Sequence, residues 1–394
     1  MDSRKPLITV NKRPELIETR HHLHRHPELS GSEQSTAKFV AGRLRALGLD
    51  VHTGVGGNGV TASLSGGRSG RTLAIRADMD ALPIQEQSDL AYCSSNPGVM
   101  HACGHDGHTT ILLGTAEVLA AHRESISGSV RFIFQPEEET VDGARKMCSD
   151  GAMDGIDAIV ALHGWPQVPL GQIGIRDGAM MASADTFDIA INGKGAHAAY
   201  PHTAVDPIVV GAQLVGALQN ISSREIDPNQ PVVVTVAQFH AGTAYNIIPE
   251  TARIAGTIRT LSAEVRKTIP DIIRRIAEGV CAAAGATCDI RFREGSGPVL
   301  NDPQIADLIR DVGRNQLGPE NVLEVPHSSM GAEDFAVYLD HAPGAMFRLG
   351  LGDTSPLHTP TFDFNDDALP IGVDLFVRIA DRYLNQEDGC LAQS

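Results

Sequence analysis

Hydrophobic and polar positions alternate most legibly between residues 184 and 293. Phe187, Ile189 and Ile191 alternate with Asp188 and Ala190, the period-two signature of a half-buried strand. Asp206-Pro207 reads as an N-cap with proline at the first helical position, opening a helix that carries Ile208, Val215 and Leu218. Strands over Val232–Phe239 and Ala252–Arg259 follow, the second with Ile254 and Ile258 on one face. Val265, Ile269, Ile272, Ile276 and Val280 then recur at helical spacing, and Cys288, Ile290 and Phe292 alternate with Asp289, Arg291 and Arg293. The order βαββαβ predicts a ferredoxin-like α+β module.

On either side the pattern changes to continuous apolar strands, Thr72–Ile75, Val130–Phe134 and Ala158–Leu162, separated by helical stretches. Such strands belong to α/β layers. The spacing predicts one α/β domain in two parts, 1–183 and 294–394, interrupted by the 184–293 module. In sheets of this kind ligands gather at the carboxyl ends of the strands. Polar clusters are expected there: Asp78 and Asp80 after the first strand, Glu137, Glu138 and Glu139 after the second, and His163 closing the third. A fourth strand, Ala345–Gly350, precedes His358.

The length of 394 residues agrees with about two to three domains. A formal charge of −16 argues against nucleic acid or an anionic membrane as partner, and 4% aromatic residues with a single tryptophan, Trp165, leave little for stacking bases. The N-terminal residues lack an apolar core of signal-peptide length, and no stretch approaches the roughly 18 apolar residues of a membrane span. A soluble cytoplasmic protein is the expectation. The six cysteines (Cys93, Cys103, Cys148, Cys281, Cys288, Cys390) are scattered and expected to be reduced.

The 16 histidines supply the positive clue. MHACGHDGHT sets His101, Cys103, His105, Asp106 and His108 within eight residues, and Cys and His are preferred ligands for zinc-like cations. The Cys-x-His spacing is too tight for a zinc finger, so the alternative is a polar helix start. FQPEEETVDGA offers three successive carboxylates, which alone would read as a solvated loop. Beside a metal, one could ligate while another handles a proton. His163 and His358 are isolated histidines that both follow strands. In the middle module, His197, His202, Asn246 and Arg259 stand out, although Arg259 also fits a solvent-facing strand position and Asn246 a turn.

RADMDALP, MHACGHDGHT, FQPEEE, ALHGWP, GKGAHAAYPH, NIIPE, GTIRT, GAEDF and LHTP, in that order, resemble the di-metal amidohydrolase family of aminoacylases and carboxypeptidases, in the subgroup of hippurate hydrolases, indole-acetyl-amino-acid hydrolases and N-acetyldiaminopimelate deacetylases. The similarity runs from HRHPELSGSE to the tail. It implies a metallopeptidase-type catalytic domain split by a lid and dimerisation module, and two divalent cations (zinc, manganese, cobalt or nickel) bridged by Cys103. Glu139 and His358 would complete one metal site, and His105 and His163 the other. Glu138 would act as general base, and His197 would stabilise the oxyanion from the partner subunit of a homodimer or higher homo-oligomer. Asn246 and Arg259 would hold the substrate carboxylate. One departure stands out, since relatives commonly read PAEEGGGGA where this chain reads PEEETVDGA.

The resemblance implies hydrolysis of N-acyl amino acids to amino acid plus carboxylic acid, with a carboxypeptidase or dipeptidase acting on short peptides as the alternative. A non-catalytic ligand-binding homologue would be expected to lose the base or a ligand, and none is lost in register. The acidic charge excludes polyanions as partners but not small anionic substrates.

Overall fold

The structure, a computed structural model, describes residues 13–385; Cys390 and the N-terminal twelve residues lie outside that range. The described chain divides into two compact units. One comprises the chain up to Met180, Leu300–His327 and the chain from Asp334; the other comprises Met181–Val299 and Ser328–Glu333.

The first unit is built on an eight-stranded mixed sheet. Its strands are β1 (Asp50–Val55), β2 (Gly59–Ser65), β3 (Arg68–Asp78), β4 (Ser127–Gln135), β5 (Ala158–Trp165) and β6 (Ile173–Ile175), joined by Val322–Glu324 and Gly344–Gly350. The order is β1-β2-β4-β3-β5, then Gly344–Gly350, β6 and Val322–Glu324. The centre is parallel: β3 pairs with β4 and with β5, and Gly344–Gly350 pairs with β5. Leu73, Ile75, Val130, Phe132, Val160, Leu162, Ala345 and Phe347 turn to one face and share a core with helices α1 (Arg13–Arg25), α2 (Gln34–Ala46) and α3 (His105–Ala121), together with Pro303–Leu317 and Ala368–Leu384. Strand alternation sends Arg76, Asp78, Gln135, His163 and Arg348 to the other face.

Two boundaries differ from the sequence reading. Asp78 does not follow its strand but ends it, paired with Gln135. His163 does not close β5, because the Gly344–Gly350 strand pairs on as far as Trp165. The ring is therefore held inside a paired strand and not at its frayed end.

Helix α3 begins at Gly104, whose φ of 88° is a left-handed value that a side chain resists. A Cβ there would also stand 3.0 Å from Phe364. This turn drops His105, Asp106, His108 and Thr109 into the interior at the carboxyl end of the sheet, each about 1% exposed.

The second unit carries the βαββαβ order. Its antiparallel sheet runs Val232–Ala241, Thr251–Thr260, Asp185–Asn192, Thr287–Glu294. Phe187, Ile189 and Ile191 pack with Val210 and Leu214 of the Pro207–Leu218 helix and Ile269 and Ile273 of the Ala263–Ala283 helix. Asp206 caps the first helix, accepting from the Ile208 N–H at 2.9 Å. A two-stranded ribbon, Ala196–His197 with Ile247–Ile248, adds to this module; four residues of alternation are too short to signal it.

Candidate metal centre

At the carboxyl end of the large sheet the first unit brings together six side chains from four segments of the chain. Donor atoms of Cys103, His105 and His163 lie within 4.8 Å of one another, and so do those of Cys103, Glu139 and His358. Cys103 is common to both triads. Glu138 completes the group, its carboxylate 3.9 Å from His105 Nε2.

Each ring is aimed by its second nitrogen. His105 Nδ1 donates to the backbone carbonyl of Asp80 at 2.9 Å, and His163 Nδ1 donates to the carbonyl of Gly164 at 2.8 Å. In both rings Nε2 is thereby turned toward the cluster and available to ligate, as in metal-bound imidazoles. His163 Nε2 lies 3.5 Å from Cys103 Sγ, and His358 Nε2 lies 3.5 Å from Glu139 Oε1. The His358 backbone takes a φ of 60°, held by its N–H donating to the Ala102 carbonyl at 2.8 Å.

The residues present fit a cation. His105 Nε2 and Glu139 Oε1 are buried without a hydrogen-bond partner, a costly state for polar atoms unless something else coordinates them. Burial first, and then the charges of Glu139, Glu138 and Asp78, hold the Cys103 thiol well above the usual thiol range. A thiolate forms there only together with added positive charge. Burial acts the other way on His105, but Asp78, Asp80 and Glu139 outweigh it and push its pKa up to about 10. Sulfur, nitrogen and oxygen donors in one cluster suit a borderline transition-metal ion.

His108 has the right residue type and position to ligate, and Asp78, His105 and His108 form a further triad of close donors. Both of its nitrogens are already used: Nδ1 donates to Asp78 Oδ1 at 2.7 Å, and Nε2 accepts the Gly164 N–H at 2.8 Å. It therefore ties strand β3 to strand β5 beside the cluster. Arg76 holds the other oxygen of Asp78 at 2.8 Å and contacts Gln135 and Asp334, so the carboxylate is fixed from two sides. His101 is buried with neither nitrogen partnered, and burial pushes its pKa down to about 4, which keeps it neutral.

The geometry sorts the three successive glutamates. Glu137 turns away to Lys146, its Oε2 2.6 Å from Nζ, while Glu138 and Glu139 face His105. The turn is built from strained backbone, with Glu137 at φ 55° and Val141 at φ 60°. Buried Glu33 anchors it by accepting the Glu137 N–H at 2.9 Å, and Asp80 Oδ2 accepts the Glu139 N–H at 3.0 Å. Gly143 closes the loop at the start of helix α4 (Gly143–Ser149), and a Cβ on it would fall 1.7 Å from the Pro136 carbonyl oxygen.

A second buried network supports helix α3 from behind. Arg20 Nη1 donates to Asp106 Oδ2 at 3.2 Å and to Asp363 Oδ1 at 3.0 Å, and His24 lies between Asp106 at 2.9 Å and Glu86 at 3.2 Å. The sequence pattern gives no signal for Arg20, His24 or Glu33, and it places Asp80 and His108 only in polar clusters, without the supporting contacts they make here.

In the second unit His197 and Asn246 are neighbours on the short ribbon, where the Ala198 N–H donates to the Asn246 carbonyl at 3.0 Å; both side chains are exposed. The Ala199 N–H donates to His197 Nδ1 at 3.0 Å, which leaves the proton of the neutral ring on Nε2. Arg259 stands on the Thr251–Thr260 strand opposite Val233, half-buried, and burial lowers its pKa from the usual guanidinium value.

Comparison with known proteins identifies the family of the chain. The family model described as Peptidase family M20/M25/M40 matches residues 74–382, and the chain belongs to that family. It is 46% identical over 319 residues to the N-acyl-L-amino acid amidohydrolase of Geobacillus stearothermophilus, covering 79% of this chain and 85% of the relative. It is 40% identical over 380 residues to thermostable carboxypeptidase 2 of Saccharolobus solfataricus, covering 94% and 96%. Among solved structures, the Bacillus subtilis YXEP protein, described as a dinuclear metal binding peptidase from the M20 family, superposes with a TM-score of 0.85 at 36% identity, covering 96% of this chain and all of that one. Among the described residues no helix is long and apolar enough to cross a membrane.

Proposed function

We propose that this chain hydrolyses the amide bond of N-acyl amino acids, hippurate-like or N-acetyl, releasing the amino acid and a carboxylic acid. The observation that carries the reading is the pair of donor triads sharing Cys103, with Glu138 beside them. Cys103, His105 and His163 would hold one divalent cation, and Cys103, Glu139 and His358 a second. Zinc, manganese, cobalt and nickel all suit this donor set. Bound there, the cations supply Lewis acidity toward water and the amide carbonyl.

Glu138 takes the proton of the attacking water and returns it to the amide nitrogen as the C–N bond breaks. His197 Nε2–H is a donor for the developing oxyanion, and Asn246 with the Arg259 guanidinium holds the substrate carboxylate. The 184–293 module serves as lid and as the interface of a homodimer or higher homo-oligomer. Its Val232–Ala241 strand is a sheet edge, and Ile208, Val209, Phe239 and Ile247 are exposed on this unit. Cys93, Cys103, Cys148, Cys281 and Cys288 are free thiols, in keeping with a cytoplasmic location.

The Saccharolobus relative favours a second reading, a carboxypeptidase acting on short peptides. A panel of N-acyl amino acids and dipeptides, assayed with protein loaded with each metal in turn, separates the two. Turnover of acyl amino acids that is lost on chelation and restored by metal is the expected result. Turnover of peptides alone would replace the first reading with the second, and turnover of neither would refute both.

A further inference from the structure

One strand away from His163 stands a pair of arginines that the chemistry above does not use. Arg348 on the Gly344–Gly350 strand is the register partner of His163, so the two side chains leave the same face about 4.8 Å apart along the sheet. On the other side Arg348 pairs with Gly174 of β6, and Arg176 follows two residues further along that chain. Strand register thus sets His163 and Arg348 side by side on one face, with Arg176 just past the end of β6 and near enough for its charge to act on Arg348.

Both guanidinium groups are half-buried, and the Nε atom of each is buried without an acceptor. Asp177, next to Arg176 in the chain, lies 2.6 Å from Arg310, and Glu324, the strand partner of Ile175, lies 3.2 Å from the same guanidinium. Arg348 is instead stacked on Trp165, its guanidinium carbon 3.9 Å from the ring centroid, and the Trp165 ring in turn lies 5.7 Å from that of His163. A guanidinium laid on a ring face keeps its in-plane N–H groups for a planar anion. Burial, and then the charge of Arg176, bring the Arg348 pKa down to about 10, and no carboxylate opposes them. Two cations brought together in a half-buried place without a counter-charge are costly unless an anion joins them.

We propose that Arg348 and Arg176, with Trp165 as platform, form a subsite for a second carboxylate of the substrate, so that the preferred substrates are N-acyl amino acids with two carboxylates. This deepens the amidohydrolase reading and rests on it for the scissile bond. The second carboxylate can come from the amino-acid side chain or from a dicarboxylic acyl arm, and the recognising chemistry is the same.

The test compares kcat/KM for N-acetyl-L-glutamate against N-acetyl-L-glutamine, and for N-glutaryl-L-alanine against N-pentanoyl-L-alanine, in wild type, R348Q and R176Q. At least one charged-to-neutral ratio is expected to exceed ten in wild type and to fall toward one in R348Q, and the pair that responds identifies the source. Calorimetric titration of the full-length protein with glutarate gives a readout independent of turnover. Its dissociation constant is expected to rise at least tenfold in R348Q and R176Q, with R348K in between. Ratios near one in wild type, or glutarate affinity that is undetectable or the same in all four proteins, would overturn the subsite. Failure of the amidohydrolase reading would instead abolish all turnover while leaving the glutarate titration to decide.

Discussion

Replacing Arg20 by methionine strips a buried charge from the back of helix α3. The Arg20 side chain is fully enclosed and serves three carboxylates, but they are not equally dependent on it. Asp363 and Asp366 keep 31% and 23% of their side-chain surface, so water can replace the guanidinium there. Asp106 is fully buried and keeps only His24, at 2.9 Å. Breaking a buried pair from one side costs about 3–5 kcal/mol, and with His24 still in place the lower end applies, about 3 kcal/mol. In a unit of this size that corresponds to a fall in Tm of about 6–12 °C. Thermal unfolding followed by circular dichroism measures it. The double variant Arg20→Met/Asp106→Asn removes the stranded charge and should recover more than half of the loss. A fall under about 2 °C, or a double variant no better than the single, would refute the account of Asp106 as a charge that needs Arg20.

The Pro136–Gly143 loop should be as intolerant as its contacts imply. Gly143→Ala puts a methyl against the Pro136 carbonyl, and we expect a loss of about 1–3 kcal/mol with metal affinity down about tenfold or more as Glu139 is displaced; wild-type affinity by calorimetry would argue against this role. The His24–Glu86 pair should leave a mark on stability against pH. Burial lowers the His24 pKa, but Asp106 and Glu86 prevail and lift it to about 9 from 6.5, so its contribution is complete below 6.5 and fades as pH rises through about 9. Burial raises the Glu86 pKa, but its hydrogen bonds to His24, Ser88 and the Ser94 N–H bring it down to about 2 from 4.5, so its contribution is complete above 4.5 and fades as pH falls through about 2. The Tm difference between wild type and His24→Gln should therefore be largest near pH 5.5 and shrink toward pH 9.5, and a difference independent of pH would contradict the assignment.

Most of the framework could be read from local pattern. The βαββαβ module showed itself because its first and last strands alternate, its first helix opens on Asp206-Pro207 and its second repeats apolar residues at helical spacing. The strand-end rule led to Glu138, Glu139, His163 and His358, because parallel strands deliver residues to a common edge whatever their separation in sequence, while Cys103 and His105 stood out by their clustering in MHACGHDGHT. Alternation could not show where pairing stops, and so His163 and Asp78 were misplaced at the margins of strands that hold them. Nor could residue type separate His105 from His108, three positions apart on one helix. What distinguishes them is that Asp78 and the Gly164 amide occupy both nitrogens of one and leave Nε2 of the other free, a fact of tertiary contact. The Arg20–Asp106 and Glu33–Glu137 contacts join residues 86 and 104 positions apart and carry no periodic signal.

The central claim is that two of the three successive glutamates divide the chemistry while the third is structural. Glu138→Gln keeps the size of the side chain and leaves both donor triads intact, so its metal content should equal that of the wild type while kcat on an N-acyl amino acid falls about 100- to 10,000-fold. Glu137→Gln, which loses only the contact to Lys146, should turn over near the wild-type rate. Metal stoichiometry and kcat measured on the same preparations of the two variants provide the most direct test. Full turnover by metal-loaded Glu138→Gln, or a collapse of activity in Glu137→Gln at unchanged metal content, would contradict the account.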